Sequence, residues 1–200
     1  MGWFGPSKNE VWRQLSEEIG AEFVERGFWK GGSKVQAHVA PWTVTLDTYT
    51  DSSGESSTTY TRMRAPYVNP EGFRFTIYRK GFFSDLGKLL GMQDIEIGDF
   101  EFDEAFIIKG NDADRVRVLF SDPKIRQMIQ DQPKIRLEVK DSEGCFGPKF
   151  PEDLDELHFQ VVGVIKDVER LKALFDLFAA VLDQLCRIGS AYKQDAGVAL

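Results

Sequence analysis

The sequence is poor in the residues that most often carry chemistry. Its 200 residues hold only two histidines, His38 and His158, and two cysteines, Cys145 and Cys186. The histidines fall in separate expected strands, and neither shares a metal-ligand spacing with a cysteine, so no metal site is expected. Two cysteines in a chain this long read as free thiols in a reducing compartment rather than as a disulfide framework. There is no G-x-S-x-G elbow, and neither cysteine lies near a histidine in sequence. Gly81, Gly87 and Gly91 have the wrong spacing for a phosphate loop or a dinucleotide fingerprint. No apolar run approaches the ~18–20 residues that a membrane span needs. The N-terminus has no basic region followed by an apolar core, so no secretion signal is expected, and a cytoplasmic location with no integral membrane contact follows. Basic residues are in deficit: the net charge is −7, which argues against nucleic-acid binding, since that rests on neutralising phosphates. No cofactor is expected, and the chain leans away from being an enzyme.

What the chain has is apolar patterning and phenylalanine. Hydrophobic residues make up 42% and charged residues 28%, ordinary values for a globular domain. Sixteen phenylalanines imply an aromatic-rich core. Ser7 to Glu10 is a capping-box pattern. Behind it Val11, Trp12, Leu15, Ile19, Phe23 and Val24 share a helical face, which predicts a helix from about Lys8 to Arg26, closed by Gly27. Alternation then predicts strands over 35–39 and 42–48, with Pro41 as a break, and over 57–65 and 73–78. Their short connections predict an antiparallel meander. Ser84 is expected to cap a short helix ending near Leu90.

The central stretch reads as strand, turn, broken helix, strand. Phe100, Phe102, Ile107 and Ile108 are spaced by acidic residues, as in a half-buried strand. Gly110 to Asp112 stops it and supplies a helix cap. Ser121-Asp122-Pro123 restarts the helix, with proline where no backbone donor is needed. Ile135, Leu137 and Val139 alternate as the next strand. The run of Asp94, Glu96, Asp99, Glu101, Asp103 and Glu104 lacks a calcium-loop pattern and reads as a wet strand face. Phe102-Asp103 followed by Phe106, then Arg117, Leu119 and the Pro123-x-Ile125 helix, resembles the core segment of a bacterial protein family of unknown function. Similar segments in other chains follow membrane spans. The resemblance is confined to this central stretch and implies no catalytic residue.

After a loop over 142–153 come a strand over 154–165 and a long helix, capped by Asp167, to about Ile188. That helix carries Val168, Leu171, Leu174, Phe175, Leu177, Phe178, Val181, Leu182, Leu185 and Ile188, a stripe wider than one contact needs. Either it lies in a concave sheet or it also packs on a second chain. The expected fold is therefore α+β: a curved antiparallel β-sheet packed by amphipathic helices, with the long C-terminal helix across the sheet. We expect one domain over 1–188 and a flexible tail over 189–200. The halves 7–92 and 94–188 stay open as a loose structural repeat, without sequence self-similarity.

Two constellations stand out. One strand face gathers Thr43, Thr45, Asp47 and Tyr49 with Tyr60, Arg62 and Arg64 and with Arg74, Thr76 and Tyr78. Arginines beside tyrosines can hold an anionic or aromatic ligand by forked hydrogen bonds and stacking, which makes Asp47, Tyr60, Arg62, Arg64, Arg74 and Tyr78 candidate ligand-binding residues. A solvated face with Asp47 paired to an arginine is the plainer reading. The second constellation is Phe82, Phe83, Leu86, Leu89 and Leu90, which suit a partner interface or packing under the sheet. The functional expectation is a non-enzymatic protein-binding or self-assembly module, with a homo-oligomer or protein partner. The alternative is a carrier of an apolar or anionic small molecule in a helix-gripped sheet pocket.

Overall fold

A computed structural model describes residues 5–25, 32–53, 56–81, 93–141, 150–193 and 196–197. The chain runs α1 (Lys8–Ile19), β1 (Glu22–Val24), β2 (Lys34–Val39), β3 (Trp42–Ser53), β4 (Ser56–Val68), β5 (Phe75–Arg79), β6 (Gln93–Asp94), α2 (Phe100–Ala105), β7 (Phe106–Gly110), α3 (Ala113–Leu119), α4 (Pro123–Gln130), β8 (Arg136–Lys140), β9 (Leu154–Val162) and α5 (Val168–Arg187). The strands form one sheet in the order β1-β2-β3-β4-β9-β8-β5-β7-β6. Each strand is antiparallel to its neighbours. This is the expected α+β architecture: an open, curved antiparallel sheet with amphipathic helices and a long C-terminal helix.

The sheet order departs from the expected meander. β4 and β5 are consecutive in the chain, yet β9 and β8 sit between them. Crossing two intervening strands requires about 14 Å, and the six linking residues can reach about 20 Å. A short connection thus permits a step over two strands as well as a hairpin. Asn69 pins the crossing: its side chain donates to Phe73 O and to Asp155, and it accepts from Phe73 N.

Two local readings are also corrected. The first helix stops at Ile19, because Gly20 takes the left-handed conformation (φ 66°) that closes a helix. Phe23 and Val24, counted on the helical face, belong to β1 instead. Residues Phe100–Ala105 are helical, not extended: Asp99 caps them by accepting from Phe102 N. The Phe102 and Phe106 rings then lie 4.7 Å apart, which a continuous strand would not allow on the same face at that spacing. The broken helix, its Pro123 start and the strand after it stand where the pattern put them.

The wide stripe on α5 finds its partners inside the chain. Leu171, Leu174, Leu177, Phe178, Val181, Leu182 and Leu185 are all fully buried. They meet α1, α3, α4 and the sheet in one continuous apolar cluster. Trp12 locks α1 over the end of the sheet by donating its indole N–H to Ile165 O. Phe75, Phe102 and Phe120 form the aromatic centre, with Phe120 edge-on to Phe75 at 5.4 Å. Beyond α5, in the segment expected to fray, Ser190 and Ala191 are buried and Tyr192 N donates to Val68 O. Among the described residues, no helix is long and apolar enough to cross a membrane.

Candidate functional site

Alternation assigns the two faces of the sheet. Leu46, Met63, Phe159, Leu137 and Ile77 stand opposite one another on β3, β4, β9, β8 and β5 and point into the core. Their neighbours point the other way, where no described helix packs. The register lines them up in rows that cross the strands. One row is Thr45, Arg64, His158, Glu138 and Thr76. It is flanked on one side by Asp47, Arg62, Gln160, Arg136 and Tyr78, and on the other by Glu156 and Lys140.

The central row is polar yet buried. Arg64 is 8% exposed, His158 and Glu138 are 3% exposed, and Thr45 and Thr76 are no more open. Long side chains lean over it and pair as they do so. Arg62 grips Asp47 with two parallel hydrogen bonds of 2.8 Å, and Arg64 adds a third of 2.7 Å. Arg136 donates twice to Glu138 Oε2, and Lys140 Nζ lies 3.1 Å from Oε1. Beside them the Tyr49 and Tyr60 rings stack at 5.0 Å, with the Arg62 guanidinium over Tyr49 and the Tyr49 hydroxyl donating to Gln160.

Two protonation states follow. Burial pushes the Asp47 carboxyl up, but the Arg62 hydrogen bonds and the charges of Arg64 and Arg62 outweigh it and hold the group below its usual value. For His158, burial and the charges of Lys140, Arg62, Arg136 and Arg64 act together and hold the imidazole well below its ordinary value. It is therefore neutral. Lys140 Nζ lies 3.4 Å from Nε2 and has only protons to give. The His158 proton accordingly sits on Nδ1, 3.6 Å from Glu138 Oε1, where it has no hydrogen-bond partner among the described residues.

The structure brings Asp47, Tyr60, Arg62 and Arg64 together as the alternation implied. Tyr78 is on the same face but two strands away from β9, opposite Arg136. Arg74 is elsewhere. It precedes β5, where its side chain turns to Asp141 at 2.9 Å and to Asp155 at 3.6 Å. These groups line an open cleft of about 270 Å³ with Asn69, Phe150 and Asp153. Burial raises the Asp155 carboxyl there despite Arg74 and Asn69. Arg136, Glu138, Lys140, Glu156 and His158 were not among the candidates. Their own alternation marks one face, but only the strand order reveals that it is the face of Arg62 and Arg64. Phe82, Phe83, Leu86, Leu89, Leu90 and Cys145 lie outside the described residues. Cys186 is a half-buried free thiol. Among the described residues no group of His, Cys, Asp or Glu is placed to hold a metal ion.

No protein-family model matches the chain, so the likeness of the central stretch assigns it no family. No curated protein matches it in sequence. Among solved structures it is similar to the mycobacterial trehalose monomycolate transport factor A, TtfA. The TM-score is 0.53 over 89% of this chain and 94% of that one, at 10% sequence identity. At that identity the similarity is one of fold.

Proposed function

We propose that this protein is a non-enzymatic binding module that holds a small ligand on the sheet face opposite its described helices. The observation that carries this reading is the buried polar row Thr45–Arg64–His158–Glu138–Thr76 beneath the partly exposed Arg62, Arg136, Tyr49 and Tyr60. Such a face is rigid, because its side chains are fixed by one another on central strands. Preorganisation of this kind favours binding by lowering the ordering cost. The same pairing disfavours catalysis. Asp47 and Glu138 are clamped by cations and His158 is enclosed, so none of these three described groups reaches outward as a general base. TtfA is described as a transport factor for trehalose monomycolate, and a binding or carrier role for this chain is compatible with the shared fold.

The protein-docking and self-assembly reading leaned on the wide α5 stripe, which is buried within the chain, and on residues 82–90, which lie outside the described ones. The polar face of the sheet has more behind it.

The test is heteronuclear NMR of the full chain against a library of small fragments. Hits should move amide resonances of β3, β4, β9 and β8. Hits confined to the helix layer, or none at all, would remove the reading.

A further inference from the structure

The polar face of the sheet has a chemical sign. Arg62, Arg64, Arg136 and Lys140 stand there against three carboxylates, Asp47, Glu138 and Glu156, with His158 neutral. On a chain whose net charge is −7, the centre of this face is locally positive.

Hydrogen-bonding capacity points the same way. Both oxygens of Asp47 already accept, from Arg62 and from Arg64. Glu138 accepts twice on Oε2 and has Lys140 against Oε1. An incoming cation would find Asp47 saturated and Glu138 Oε1 already facing the Lys140 ammonium, although Oε1 accepts no hydrogen bond among the described residues. Donors are in surplus, because each guanidinium carries five N–H groups and an ammonium three. Two of the spare donors, Arg64 Nε and His158 Nδ1, are buried and make no hydrogen bond among the described residues, with His158 Nδ1 lying 3.6 Å from Glu138 Oε1. A buried donor without an acceptor is costly, and a ligand oxygen that reached it by displacing rim side chains would remove that cost.

The layout is a floor and a rim. Arg64, His158 and Glu138 are the floor, each no more than 8% exposed. Arg62, Arg136 and Lys140 rise around it, with side chains 25%, 20% and 26% exposed. Guanidinium groups match the paired oxygens of carboxylates and phosphates. The Tyr49–Tyr60 stack extends the rim and offers an aromatic surface to the body of the ligand.

We infer that this floor and rim form a site for a small oxyanion, a carboxylate or phosphoryl group borne by a low-molecular-weight ligand. The assignment rests on the binding reading above and adds the chemical class of the ligand.

The test titrates the full chain with inorganic phosphate, with citrate and with spermidine at fixed ionic strength, read by calorimetry and by NMR. Saturable shifts at Arg62, Arg64, Arg136 and His158 with phosphate or citrate support the assignment, and the stronger of the two names the group. Arg136→Gln should then weaken binding about tenfold, the loss of one charge-assisted contact. Lys140→Gln, on a more exposed side chain, provides the same check if the first variant is unstable. A response to spermidine with none to either anion overturns the anion assignment and leaves the binding reading standing. An oligoglutamate peptide that binds far more tightly than citrate overturns the small-ligand assignment in favour of an acidic protein segment. Silence from ions and fragments alike overturns both.

Discussion

Replacing Asp47 by Asn removes the charge that two arginines share while leaving the shape almost unchanged. Asp47 accepts three hydrogen bonds of 2.7–2.8 Å from Arg62 and Arg64. A hydrogen bond to a charged group contributes about 1.5–3 kcal/mol, and the three do not add. Water can replace part of what Arg62 loses, since its side chain is 25% exposed, but little of what Arg64 loses at 9%. Removing one partner of a buried pair typically costs about 3–5 kcal/mol. The half-open geometry puts Asp47→Asn at the lower end, about 3 kcal/mol. Urea denaturation at neutral pH, followed by circular dichroism, measures this directly, with an unchanged slope showing that the denatured state is not the cause. Arg64→Met in the same background should recover part of the loss, because the cost lies mainly in a stranded guanidinium. The difference between parent and Asp47→Asn should also fade in acid. Because the folded carboxyl titrates below its usual value, its stabilisation is present above the unfolded value of about 3.9 and is lost as pH falls through the folded one. A cost under about 0.5 kcal/mol, or a double variant no better than the sum of the singles, would refute the view that Asp47 neutralises buried charge.

Three further outcomes are expected. His158 is neutral when folded and takes up its proton when unfolded. Its stabilisation is therefore complete above about pH 6.5 and declines below it by up to about 1.4 kcal/mol per pH unit. His158→Gln should flatten the stability profile between about pH 7 and pH 5.5, and equal slopes for parent and variant would count against the assignment. Gly110→Ala should destabilise by about 1–3 kcal/mol, since its Cβ would lie 2.6 Å from the Val116 side chain and 3.2 Å from Ile95; a neutral effect in thermal melts would show that this contact gives way easily. Phe178→Ala, in the buried stripe of α5, should cost about 3–5 kcal/mol. A small loss there, with a change of oligomeric state, would mean that the stripe serves a second chain.

The fold class was legible because the local signals agreed with the final structure. Ser7, Asp112, Asp122 and Asp167 cap helices, and Pro123 opens one. Alternation located β2, β3, β4, β8 and β9 to within a few residues. The misread segments are those where two patterns compete. Phe100 and Phe102 alternate with acidic residues, yet Asp99 supplies a cap, and the cap prevailed. Phe23 and Val24 fit a helix until Gly20 ends it. Half of the candidate site was visible in β3 and β4, because a hairpin fixes its own register. The other half lies on β8 and β9, and no local signal states which strand a strand will pair with. Arg74 fell out of the site for a related reason: it lies in the crossing before β5, outside the alternation that governs Thr76 and Tyr78.

The insertion of β9 and β8 between β4 and β5 also sets an order of events on the way to this structure. β4, a strand of 13 residues, has one edge paired by β3 early in synthesis. Its other edge waits for residues 154–162, nearly a hundred positions downstream. Until they arrive, β4 and β8 each present unpaired backbone groups to whatever is nearby, the condition under which chains associate wrongly. Folding of this protein should accordingly be slow for its size. Truncations that remove β9 should yield aggregates in place of a smaller folded core.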